Sequence, residues 1–214
     1  MDIFQIFYNS KDTENSIKMS AYMKNKFSFL GIPKPERARL SKDFLKQHKK
    51  DMYIDWSFVF KCYNMPEREF HYLALDYLLL LKGKLISKDI DNIEKLIVTS
   101  SWWDSVDFLD AIVGDMCLKY PELKKSVILK WIYSDNIWLK RVAIDFQLKY
   151  KENTDIDILS KAILVNCNTD EFFVNKAIGW SLREYSKTNK EWVRSFLQNN
   201  KLSKLSVKEA SKYI

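Results

Sequence analysis

Asp107 is the residue of this sequence best placed for chemistry. It ends the run Ser100-Ser101-Trp102-Trp103-Asp104-Ser105-Val106-Asp107. On a helix, Trp103 and Asp107 stand four residues apart on one face, and Asp104 stands three from Asp107. Arg141 follows 34 residues after Asp107, and Trp180 follows 39 after Arg141. Separations of this size set side chains on neighbouring helices of a repeat array. An ionised carboxylate stabilises positive charge that develops on a reacting carbon and can orient a water molecule. Each indole offers a cation a π face worth about 0.5–2 kcal/mol. An arginine neutralises a phosphate without reading sequence. An acid between two indoles and an arginine makes a poor core and a suitable site for a cationic substrate held against a phosphate backbone. Packing is the competing role: paired tryptophans most often fill a core, and Asp104 fits a structural or capping group better than a second acid.

The elements that must position these residues read as helices. Apolar residues recur at three- and four-residue spacing over Phe70 to Leu81 and over Trp138 to Tyr150. Ser134-Asp135-Asn136 and Thr169-Asp170 carry capping side chains just before apolar helical runs, and Pro66 and Pro121 suit first-turn positions. Alternation with period two is scarce, and no Asn-Gly or Asp-Gly hairpin turn occurs, so the fold class is all-α. Ala followed by an aliphatic residue recurs at Ala74, Ala111, Ala143 and Ala177, intervals of one helix–turn–helix unit. Four residues before three of these alanines stand Phe70, Leu139 and Phe173, whereas the remaining unit has Asp107. A carboxylate in a large apolar residue's place is costly to bury unpaired, so it marks a cleft or a shifted register.

Composition narrows the chemistry further. The chain of 214 residues has 2 His, 3 Cys and 4 Gly, and neither H-E-x-x-H, C-x-x-C nor a glycine-rich phosphate loop appears. Histidine-dependent hydrolysis, classical zinc chemistry and nucleotide folds with those fingerprints are disfavoured. The three widely spaced cysteines suit a reducing cytoplasm, and no basic segment followed by an apolar run opens the sequence as a secretory signal. The longest apolar run, Tyr77 to Leu81, is far too short to span a membrane. The net charge of +7 fits either a solvating surface or an anionic partner. The charged stretch from Lys201 to Ile214 reads as a last amphipathic helix, and His71 as a packed or surface histidine.

Six blocks in order carry a resemblance: Tyr22-Met23-Lys24-Asn25-Lys26-Phe27; Phe29-Leu30-Gly31-Ile32; Pro35-Glu36-Arg37; Trp102 to Asp107; Asn136 to Arg141; and Phe173 to Tyr185. Over nearly the whole chain they resemble the DNA alkylation repair family of AlkD-type, HEAT-like-repeat glycosylases. The resemblance implies one domain over 1–214, a superhelical solenoid of about six HEAT-like antiparallel helix pairs with a concave DNA-binding groove. It implies excision of positively charged N7- and N3-alkylated purines, such as 7-methylguanine and 3-methyladenine, from duplex DNA by a monomer without metal or cofactor. Asp107 matches the family's catalytic carboxylate. Trp103, Trp180 and Tyr22 match aromatic residues that line the lesion site, and Arg141 matches an arginine on the DNA backbone beside it. Lys24, Lys26, Arg37, Lys140, Lys176 and Arg183 are expected along the same basic wall. The chain departs from the family at Ala38, where a second arginine is usual. A slightly shorter loop than the family's is also expected between Asp107 and Gly114. A non-catalytic HEAT-like DNA-binding paralogue and a protein-binding scaffold are the competing readings.

Overall fold

The computed structural model describes residues 2–214, and its chain is all-α. Among the described residues no strand forms, and one isolated bridge links Ser28 and Glu67. Two compact units divide between Leu85 and Ile86. In the first, α1 (Ile3–Asn9), α2 (Thr13–Tyr22), α3 (Lys34–His48), α4 (Trp56–Tyr63) and α5 (Arg68–Leu80) follow in order. Phe70, Leu73, Ala74, Tyr77 and Leu78 of α5 are all buried, as the period over Phe70 to Leu81 predicts. The helix starts slightly earlier than Phe70, and Pro66 lies before its N-cap Glu67 rather than in its first turn.

A buried carboxylate fixes the turn between α2 and α3. Glu69 accepts the backbone N–H groups of Leu30, Gly31 and Ile32 at 2.9, 2.9 and 3.0 Å. Gly31 has φ +91°, and a Cβ there would run into the Asp12 carbonyl. Only glycine adopts that turn without strain. His71 stacks on Tyr63 at 4.9 Å, and its Nδ1 lies 2.9 Å from the Arg68 Nη1. Arginine only donates, so Nδ1 accepts and Nε2–H donates to the Met65 carbonyl at 3.0 Å. His71 is thus a packed core residue.

The second unit holds α6 (Ile90–Val98), α7 (Trp103–Lys119), α8 (Leu129–Ile132), α9 (Ile137–Asp145), α10 (Ile156–Asn166), α11 (Phe172–Tyr185), α12 (Lys190–Asn199) and α13 (Lys204–Ala210). Here α7, α9, α11 and α13 form one row in which each helix packs on the next, and α8 packs on α9 and α10. Asn136 caps α9 as the sequence places it, accepting from the N–H groups of Trp138 and Leu139. At α11 the N-cap is Glu171, whose side chain makes no cap, and Thr169 instead accepts from the Glu171 N–H in the turn before it.

Four details differ from the sequence reading. The apolar period from Trp138 to Tyr150 covers a shorter helix, ending at Asp145. The Leu148 N–H turns to the Asp145 carbonyl, and the Gln147 side chain brackets the backbone of Asp155. Residues 107–114 form no loop, because α7 runs through them without a break. Lys201 to Ile214 contains the short α13, capped by Ser203 and followed by a single 3-10 turn. Pro121 precedes a π turn, Lys124–Ile128, that leads into α8.

Close helix approach falls on glycine more than on the recurrent alanines. Ala143 and Ala177 are buried, but Ala111 is half-exposed. A Cβ at Gly114 would meet the Phe146 carbonyl, and one at Gly179 would lie 2.5 Å from the Cβ of Glu209 and 3.0 Å from the Ser206 carbonyl. Gly179→Ala is therefore expected to push α13 off α11 and destabilise the protein by roughly 1–3 kcal/mol. Gly83→Ala, where an added Cβ meets nothing within 4 Å, is the control. Urea unfolding of both variants checks this, and equal midpoints would mean that α13 yields without cost.

Candidate functional site

Asp107 lies in the second turn of α7, and Arg141 in the second turn of α9, the next helix of the row. Arg141 Nε donates to Asp107 Oδ1 at 2.9 Å, and Nη2 approaches the same oxygen at 2.8 Å. Nη1 donates to the Phe173 carbonyl at 2.9 Å, on the entry turn of α11. Three helices thus hold one guanidinium. Its side chain is 1% exposed, whereas that of Asp107 is 27% exposed. The carboxylate opens to solvent while its counter-ion is enclosed. This exposure answers the question raised by a carboxylate in an apolar register: the position is at the surface of the helix row.

Two further carboxylates surround the same cation. Arg141 Nη2 is 3.7 Å from Asp145 Oδ2, and Asp145 has no exposed side-chain surface. Asp110, one turn after Asp107 on α7, is also buried. Burial raises the pKa of Asp107, Arg141 works against that rise, and Asp104 adds to it. Asp110 lies well above the usual carboxylate range through burial and the charges of Asp145 and Asp107. Asp145 is pushed up to about 6 by burial, with Arg141 pulling the other way. Among the described residues, no group of three His, Cys, Asp or Glu side chains is disposed to hold a metal ion.

Trp180 on α11 sits among cations of the chain itself. Arg141, Lys176 and Arg183 lie 5.2, 5.4 and 5.8 Å from its ring centroid. Glu209 of α13 gathers two of them, with its carboxylate 2.9 Å from Lys176 Nζ and 3.2 Å from Arg183 Nη1. Lys212 and Lys176 hold the Glu209 carboxyl down at about 2. Trp103 opens α7, half-exposed, four residues before Asp107 as its spacing requires. Lys140 is half-buried on α9. An aromatic group braces this edge: Phe173 packs 4.9 Å from Trp102 and 4.8 Å from Trp138.

The remaining expected residues belong to the first unit. Tyr22 ends α2 with 73% of its surface exposed, beside an apolar cavity of about 220 Å³ lined by Met19, Met23, Phe29 and Tyr72. Lys24 is exposed, with a left-handed φ of 57°. Arg37 is 6% exposed, lies over the Tyr72 ring at 4.5 Å and reaches Asp76 at 3.6 Å. Ala38 is exposed, and Arg39 turns to Glu36.

The sequence reading did not single out Asp110, Asp145, Ser181 or Glu209. A signal for two of them is present: Asp110 stands three residues after Asp107, and Asp145 four after Arg141, so each shares a helical face with a residue already chosen.

Comparison with known proteins bears on the family and the fold. No curated protein matches the chain. A solved structure described as a predicted DNA alkylation repair enzyme from Enterococcus faecalis is 38% identical, with a TM-score of 0.89 over 95% of this chain and 96% of that one. The family of DNA alkylation repair enzymes matches residues 4–214. Together with the all-α fold, that match over nearly the whole length shows that the chain belongs to the DNA alkylation repair enzyme family.

Proposed function

We propose that this protein is a monofunctional DNA glycosylase that removes N7- and N3-alkylated purines from duplex DNA by hydrolysis of the N-glycosidic bond. Alkylation at either nitrogen makes the base cationic and a good leaving group without protonation, so the reaction needs no general acid. As the bond to C1′ breaks, positive charge grows on the sugar. An ionised Asp107 beside that carbon would stabilise the charge and orient the attacking water.

The observation that carries this reading is the pairing of a solvent-open carboxylate with an enclosed cation. Arg141 favours the ionised form of Asp107 without closing access to it. With its Nε, Nη1 and Nη2 groups directed at protein oxygens, Arg141 supports Asp107 more directly than it supports a DNA phosphate. Lys176 and Arg183, half-buried around Trp180, are the better candidates for phosphate contact. Binding through such contacts should weaken steeply as salt rises.

The direct test is incubation of the protein with methylated duplex DNA and chromatography of the released bases. Free 7-methylguanine is expected. Retained binding to DNA without release of any alkylated base would favour a non-catalytic DNA-binding role. The mechanism uses no lysine nucleophile, so borohydride is expected to trap no covalent protein–DNA adduct during turnover. A trapped adduct would overturn the monofunctional assignment.

A further inference from the structure

Beneath the Asp107–Arg141 pair lies a second hydrogen-bonding group that the proposed chemistry does not use. Asp145 is fully enclosed at the end of α9. Ser181 of α11 places its Oγ 2.9 Å from Asp145 Oδ1 and 2.9 Å from the Ile144 carbonyl. A hydroxyl has one hydrogen, and both of these neighbours are acceptors when Asp145 is ionised. The Ile144 carbonyl is one place for that hydrogen. The Leu148 N–H, which would continue the helix to it, turns to the Asp145 carbonyl at 2.9 Å instead. With Ser181 donating to Ile144, the contact to Oδ1 is a hydrogen bond only if Asp145 carries the proton and donates it to Ser181.

Charge balance agrees with that assignment. The groups that face Asp145 are Arg141 on its own helix and Asp107 and Asp110 from α7. Asp110 lies well above the usual carboxylate range, and with it neutral, ionised Asp107 and Asp145 would still leave one uncompensated negative charge beside one guanidinium, which is unfavourable with Asp145 fully enclosed. Asp145 Oδ2 has no hydrogen-bond partner and stands 3.7 Å from Arg141 Nη2, beyond hydrogen-bonding reach. An ionised Asp145 would draw that nitrogen closer and away from Asp107.

We propose that Asp145 is a positioning residue of this site, and that while it remains the neutral acid, with its proton turned to Ser181, the charge of Arg141 is directed at Asp107. The inference rests on the reading of Asp107 as the working carboxylate. Burial raises the Asp145 carboxyl to about 6, so its proton is lost as pH rises through about 6. Above that pH the ionised Asp145 competes with Asp107 for Arg141. A bound polyanion favours the neutral acid further.

Two measurements test it. In the free protein, the side-chain carboxyl ¹³C resonance of Asp145, assigned through bonds and checked by its absence from Asp145→Asn, is expected to titrate well above the ordinary aspartate range. A resonance that remains ionised down through the ordinary range overturns the proposal, and this readout needs no enzymatic activity. In the second, base release by the wild type is expected to step down several-fold across the ionisation of Asp145, on top of the acid limb set by Asp107. In Asp145→Asn that second inflection is expected to vanish while the acid limb stays. Superimposable profiles for the two proteins would also overturn it. If the wild type releases no base at any pH, the glycosylase reading fails, and the carboxyl titration alone decides whether Asp145 is held neutral.

Discussion

Asp107→Asn is expected to slow release of 7-methylguanine by about a hundred- to a thousand-fold, the usual loss when one preorganised electrostatic contact to a transition state is removed. The substitution keeps the shape of the side chain and an acceptor for Arg141 Nε. The negative charge is lost, so the effect should appear in the chemical step, measured by single-turnover release, while DNA affinity changes little. The wild type carries a pH signature that the variant lacks. Burial raises Asp107 above its ordinary value, with Arg141 limiting the rise. Release needs the ionised form, so the rate should fall as pH drops through that raised pKa, on the alkaline side of an ordinary aspartate's titration. Equal release rates for the two proteins at neutral pH would remove Asp107 from the mechanism.

Arg141→Ala is expected to cost folding stability as well as activity. Loss of the guanidinium leaves Asp107, Asp110 and Asp145 around an empty, enclosed position. Breaking a buried pair from one side typically costs about 3–5 kcal/mol. Asp107 is 27% exposed, which places this case near the lower end. A fall in Tm of roughly 10 °C follows for a chain of this size. The pH dependence has a definite sign. Asp145 is raised to about 6 in the folded protein, so the folded state binds more protons than the unfolded chain between the two pKa values. Stability from this group is present at the acid side and lost as pH rises through about 6. Without Arg141 to oppose the rise, that loss should become larger. Arg141→Lys keeps the charge but cannot bridge Asp107 and the Phe173 carbonyl from one planar fork, so an intermediate result is expected. Thermal unfolding of the three proteins across this pH range checks the series. A flat, wild-type-like profile for Arg141→Ala would mean that the carboxylates do not share this cation.

The residues legible in the sequence were those whose roles follow from spacing along one helix. Trp103 and Asp107 share a face because they are four apart, and the cap at Asn136 lies where a polar side chain precedes an apolar run. Helix ends were less legible. The apolar period of Phe146, Leu148 and Tyr150 continues past Asp145, but Ser181 captures the Ile144 carbonyl and the chain leaves the helix there. Hydrophobic spacing records which side chains are buried, and it does not record a hydrogen bond from another helix. The alanine repeat likewise located the helix units, while the closest approaches fell on Gly114 and Gly179, where a neighbour's backbone or Cβ leaves no room for a side chain.

The sequence by itself determined an all-α repeat chain with an acid, two indoles and an arginine on successive units. Those features depend on local periodicity and on residue type. Only the tertiary structure decided what the arginine does. Arg141 became an enclosed partner of Asp107 because α7 and α11 both pack against α9 and bring a carboxylate and a backbone carbonyl to one guanidinium. The direction of a long side chain is set by the acceptors that neighbouring helices bring within reach. For the same reason Asp145 and Ser181 became part of the site, since their meeting depends on the packing of two helices.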